Sequence, residues 1–78
     1  MDESDVREIS RLFADGQSLL RSKSYEAALA KFDQVLIRNP FYVPALVARA
    51  DVCDELGTPD RAERCRRRVQ FLQGQLQV

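Results

Sequence analysis

The sequence predicts an all-α protein, four helices folded as two antiparallel helix pairs in one domain over residues 1–78. Three observations carry this. Apolar residues recur at helical spacing, and no stretch alternates with the period of a strand. The breaking residues are few (Gly16, Gly57, Gly74, Pro40, Pro44 and Pro59), and four uninterrupted runs remain, at about 4–22, 25–38, 43–56 and 60–74. A shift of 34 residues lays the first half of the chain on the second.

The first run can open at Asp5, with Glu8 at capping-box spacing. Its apolar residues, Leu19, Leu12, Gly16, Ile9, Leu20, Phe13 and Val6, cover an arc of roughly 140°. That is wider than one neighbouring helix needs, so part of the arc is expected to face a second neighbour or a ligand. Ser22-Lys23-Ser24 is long enough only for an antiparallel return. The second run carries Ala28, Leu29, Phe32, Val35 and Leu36 on one face. Asn39-Pro40 ends it, because the residue before a proline disfavours the helical region. Phe41 and Tyr42 follow and are expected to pack over the joint with the third helix.

Pro44 suits the first turn of that third helix. The helix is apolar nearly all round, through Val43, Ala45, Leu46, Val47, Ala48, Ala50, Val52, Cys53 and Leu56. Only Asp51, Asp54 and Glu55 form a continuous polar arc. Such a helix is covered from more than one side, which places it in the middle of the structure. Gly57 fits its C-terminal cap. Thr58-Pro59-Asp60 offers a cap, a first-turn proline and an acid matched to the helix dipole. The fourth helix has a narrower stripe: Ala62, Cys65, Val69, Leu72 and Leu76.

Composition narrows the function. The chain has no His, so imidazole acid–base chemistry and His metal ligation are absent. Twelve basic and 12 acidic residues balance to zero, which gives no global attraction to nucleic acid or anionic lipid. No phosphate-cradling loop is present, and no Ser or Cys has a histidine base. An enzyme is not expected, nor a cofactor or a bound metal. No apolar run spans a membrane, and the acidic start, Met1 to Asp5, does not resemble a signal peptide. A soluble cytoplasmic protein is expected. Cys53 and Cys65 sit on apolar faces. They read as small core residues, although Arg64 and Arg66 beside Cys65 keep a redox or metal role open.

In the 34-residue shift Leu12 falls on Leu46, Phe13 on Val47, Gly16 on Ala50 and Leu19 on Cys53. Glu26 falls on Asp60, Ala28 on Ala62 and Val35 on Val69. The first unit reads Leu12-x-x-Asp15-Gly16-x-x-Leu19, then Ala28-x-x-x-Phe32, then Pro40. Period and pattern together resemble the tetratricopeptide repeat family. The units are about 9–42 and 43–76. The second departs from the pattern, with Arg66 in place of Phe and Gly74 in place of Pro, as expected of a terminal repeat.

The resemblance implies a short right-handed solenoid of tetratricopeptide type that acts as a protein–protein interaction module, a scaffold or adaptor. Its groove would be lined by Phe13, Gln17, Leu20 and Arg21 of the first helix and by Val47, Asp51, Asp54 and Glu55 of the third. Phe13 and Gln17 stand where the family's chaperone-carboxylate clamp has Lys and Asn, so that function is not carried over. Two repeats fall short of the three usually needed for stability. The shortfall implies a partner, a homo-oligomer joined through exposed stacking faces, or a piece of a longer array. A small helical chaperone or secretion-apparatus subunit stabilised by its partner is one alternative.

The other alternative is an arginine surface for nucleic acid or an acidic protein. Arg61, Arg64 and Arg68 share a face of the fourth helix at i, i+3 and i+7. The i, i+4 pairs Asp60–Arg64 and Glu63–Arg67 are expected to neutralise part of this helix. The acids at 51, 54, 55 and 60 are expected to lack a nearby base.

Overall fold

The computed structural model describes the backbone of residues 3–76 and the side chains of residues 3–74. Met1 and Asp2 of the acidic start, and the Leu76 side chain expected in the last apolar stripe, lie outside that range. Four helices are present, α1 (Glu3–Arg21), α2 (Tyr25–Arg38), α3 (Val43–Glu55) and α4 (Pro59–Leu76). Among the described residues there is no strand.

The start of α1 differs from expectation. The helix is already running at Glu3, so Asp5 lies inside its first turn and is not its cap. There the carboxylate still complements the helix dipole, and it reaches Arg38, at the end of α2, at 3.7 Å. Asn39 ends α2 in extended backbone, its N–H returning to the Val35 carbonyl. Tyr42 then precedes α3, with Pro44 in the first turn.

The turns inside the two pairs are the same turn. After α1, Lys23 takes φ +63°. Its N–H donates to the Leu20 carbonyl at 3.0 Å, and the Ser24 N–H donates to Leu19 at 2.9 Å. After α3, Gly57 takes φ +76°. Its N–H donates to Asp54 at 3.1 Å, and the Thr58 N–H donates to Cys53 at 2.9 Å. Each is a complete Schellman closure around a left-handed residue. Every donor and acceptor of the second lies 34 positions after its counterpart in the first.

Helix α1 packs on α2, and α3 on α4; α2 then packs on α3, and α3 also touches α1. Helix α3 is therefore the central element, as its nearly all-round apolar sequence requires. Two core clusters join the pairs. Ile9, Leu12 and Val35 meet Ala45, while Ala28 and Phe32 meet Ala48 and Val52. A third cluster holds Ala50, Cys53, Ala62 and Cys65 between α3 and α4, with Leu29 of α2 reaching it. Both cysteines are buried and free.

The surplus arc of α1 has a second neighbour inside the molecule. Phe13 packs on Phe32 of α2 at 5.7 Å between ring centroids and edge-on against Tyr42 at 5.6 Å. Tyr42 thus covers the joint as expected. Phe41 does not: it is 63% exposed, under the guanidinium of Arg68. Val47 also departs from the all-round burial of α3, at 45% exposed.

Candidate functional site

The end of α1 and the polar arc of α3 converge on one cleft of about 380 Å³, lined by Leu20, Arg21, Lys23, Tyr25, Asp51, Asp54 and Glu55. Local structure explains the assembly. The Schellman turn reverses the chain directly after Arg21, so Lys23 and Tyr25 flank the last turn of α1. Asp51 and Glu55 share a face of α3 at i, i+4, with Asp54 on the adjoining strip. The floor is the half-buried Leu20 and Tyr25, and charges of both signs stand around it. Partial burial, and then the negative charge of the neighbouring Glu55 carboxylate, raise the Tyr25 pKa above its ordinary 10.0.

Five of the eight groove residues expected from sequence meet in this cleft: Leu20, Arg21, Asp51, Asp54 and Glu55. Phe13 is half-buried in the core instead, and Gln17 is half-buried beside it on α1. Val47 lines a separate cleft of about 230 Å³ with Ala50, Asp51, Arg66, Val69 and Gln70. Lys23 and Tyr25 were missed by sequence reasoning. The signal was their place on either side of a short break whose geometry returns them to the end of α1.

The acids do not all lack a base. Asp54 is paired with Arg66 of α4, whose Nη1 and Nη2 face its two carboxylate oxygens. Hydrogen bonding to Asp54 outweighs desolvation, so the guanidinium pKa lies above its ordinary value. Antiparallel α3 and α4 bring positions 54 and 66 together, a proximity hidden in linear sequence. Asp51 also lies within electrostatic reach of the Arg66 guanidinium, whereas Glu55 stands beside Tyr25.

The arginine face divides. Arg64 and Arg68 line a third cleft of about 380 Å³ with Arg49, Cys65, Leu36, Pro40 and Leu46, whereas Arg61 lies apart from it. Arg67 pairs with Glu63 at 2.8 Å, the expected i, i+4 bridge. The arginine that touches Cys65 is neither Arg64 nor Arg66. Arg49 Nη1 donates to Cys65 Sγ at 3.0 Å, and Arg49 Nε donates to Asp33 Oδ1 at 2.6 Å. Burial lowers the Arg49 pKa, but these two partners more than offset it and the net direction is up. One side chain of α3 is in this way tied to α2 and α4.

Among the described residues, no cluster of three or more His, Cys, Asp and Glu side chains is placed to hold a metal ion. No helix there is long and apolar enough to cross a membrane. No protein-family model matches the chain, and neither does any curated protein or any solved structure.

Proposed function

We propose that the chain is a protein-binding module of tetratricopeptide type that takes a partner segment into the cleft between the end of α1 and the polar arc of α3. The single observation that carries the reading is the cleft itself. It gathers Leu20, Arg21, Asp51, Asp54 and Glu55 from helices 30 residues apart around one apolar floor. The identical Schellman turns at 34-residue spacing support the repeat architecture.

The volume selects the mode of recognition. At about 380 Å³ the cleft is at the small end of ligand sites. It holds one or two side chains and not a whole helix. An apolar anchor sits beside Leu20 and Tyr25, while a Lys or Arg of the same segment meets Asp51 and Glu55. Arg21 and Lys23 on the opposite lip disfavour a uniformly basic ligand. The nucleic-acid alternative draws less support, because its three arginines do not share one site: Arg64 and Arg68 line one cleft and Arg61 lies apart from it.

The test is an NMR titration of the labelled protein with a short amphipathic Leu/Lys peptide. Amide shifts are expected at 20–25 and 51–55. The Asp51→Asn/Glu55→Gln double variant should weaken binding roughly fivefold, the scale of two partly exposed ion pairs. Shifts elsewhere, or shifts indifferent to the double substitution, reject the reading.

A further inference from the structure

The 34-residue register makes the second cleft intelligible. Shifted back by 34, its lining residues Val47, Ala50, Asp51, Arg66, Val69 and Gln70 become Phe13, Gly16, Gln17, Phe32, Val35 and Leu36. Phe13, Phe32, Val35 and Leu36 are among the residues of the first pair that share core clusters with α3. The cleft on the second pair therefore corresponds to the seat that α3 occupies on the first, and no described helix lies in it.

The same shift identifies what fits there. Helix α3 meets the first pair through the small side chains Ala45, Ala48 and Val52. The positions 34 earlier are Arg11, Ala14 and Ser18, all exposed along the outer face of α1. Ala14 and Ser18 let two helix backbones approach closely, whereas Arg11 stands in the place of the buried Ala45 and must carry its charge out to water along its long stem. The charges fit as well. The first junction is bridged by Asp33 on α2 and Arg49 on α3. Their counterparts at the second are Arg67 on α4 and Asp15 on α1. The signs are exchanged on both sides at once, so the pair remains attractive. Arg67 is free to take part, because its bond to Glu63 is a surface pair with 75% of the arginine side chain exposed.

We infer that a second copy of this chain lays the outer face of its α1 into the Val47–Val69 cleft, repeating the junction between α2 and α3 head to tail. The two faces differ, so the contact is heterologous and does not close at two copies. Asp51 lines both this cleft and the Leu20–Glu55 cleft, but the contact does not depend on the function proposed for the latter.

Sedimentation equilibrium of the full chain tests this. The average mass of the wild type should climb with concentration toward the millimolar range and show no plateau at a dimer. Ala14→Glu and Val47→Glu alter exposed positions on opposite partners of the contact, and circular dichroism checks that each stays folded. Each variant alone should remain monomeric. Mixed one to one, they should form a dimer and nothing larger, because one retains a free cleft and the other a free α1 face. Asp15→Arg and Arg67→Asp should each weaken association, and their combination in one chain should restore it. A wild type that stays monomeric at millimolar concentration overturns the proposal and leaves the cleft to another protein's helix. So does a mixture that fails to pair, or either blocking variant associating alone.

Discussion

Gly16 and Phe32 are complementary shapes on facing helices. A Cβ placed on Gly16 would stand 2.6 Å from Cε1 of the Phe32 ring and 2.9 Å from two further ring carbons. The ring cannot yield easily, since it is fully buried between the two helix pairs. In the second unit the corresponding residues are Ala50 and Arg66, and the arginine turns outward to Asp54. With no ring to admit, the methyl group is accommodated. Gly16→Ala should therefore destabilise the fold by about 1–3 kcal/mol through overpacking. That exceeds the roughly 1 kcal/mol that alanine gains over glycine within a helix. Urea unfolding measures the difference. In a Phe32→Leu background the penalty should shrink to near zero, because the atoms that clash are gone. An equal penalty in both backgrounds would show that the ring is not its cause.

The helices were legible because each is delimited by local chemistry. Asn39-Pro40, Pro44, Gly57 and Pro59 act on their own neighbours, and every boundary they imply lies within two residues of the structure. The first turn of α1 was not legible, because capping-box spacing at Asp5 and Glu8 also suits two acids already inside a helix. The turn at Lys23 was legible only through the repeat: lysine gives no sign of a left-handed conformation, but its counterpart 34 positions on is Gly57. The two turns share their hydrogen bonds and differ in whether a Cβ must occupy the left-handed region, which costs roughly 1–2 kcal/mol. Lys23→Gly should accordingly raise the thermal midpoint by about 4–8 °C per kcal/mol gained. Gly57→Lys should lower it by a similar amount. The double variant should return to the wild-type midpoint, since the turns belong to different pairs and their effects add. Calorimetry on the three proteins checks this, and a Lys23→Gly variant that melts earlier than wild type would refute the shared-turn argument.

At the scale of the molecule, 36 × 30 × 16 Å, the fold is a slab in which each pair completes the other. The candidate site was partly legible for the same reason: register placed α1 and α3 side by side, while the partners of Asp54, Arg49 and Phe13 depend on cross-helix geometry that register alone does not give. Interdependence can be tested directly. Phe32 and Val35 belong to the first pair and Val52 to the second, yet all three are fully buried, in clusters shared by both pairs. Separating the pairs returns such side chains to water at roughly 1.5–3 kcal/mol each. It also breaks the bridge from Arg49 to Asp33. Small domains have about 5–15 kcal/mol of total stability, and a lone helix hairpin has little core of its own. Peptides 3–40 and 41–76 should therefore each show weak, non-cooperative helical signals by circular dichroism. Mixed at equal, high concentration, they should regain helicity and a cooperative melting transition, because the α2–α3 junction reforms. A cooperative melt of either peptide alone would place the folding unit in the single pair, and the central position of α3 would then be a consequence of connectivity instead of the source of stability.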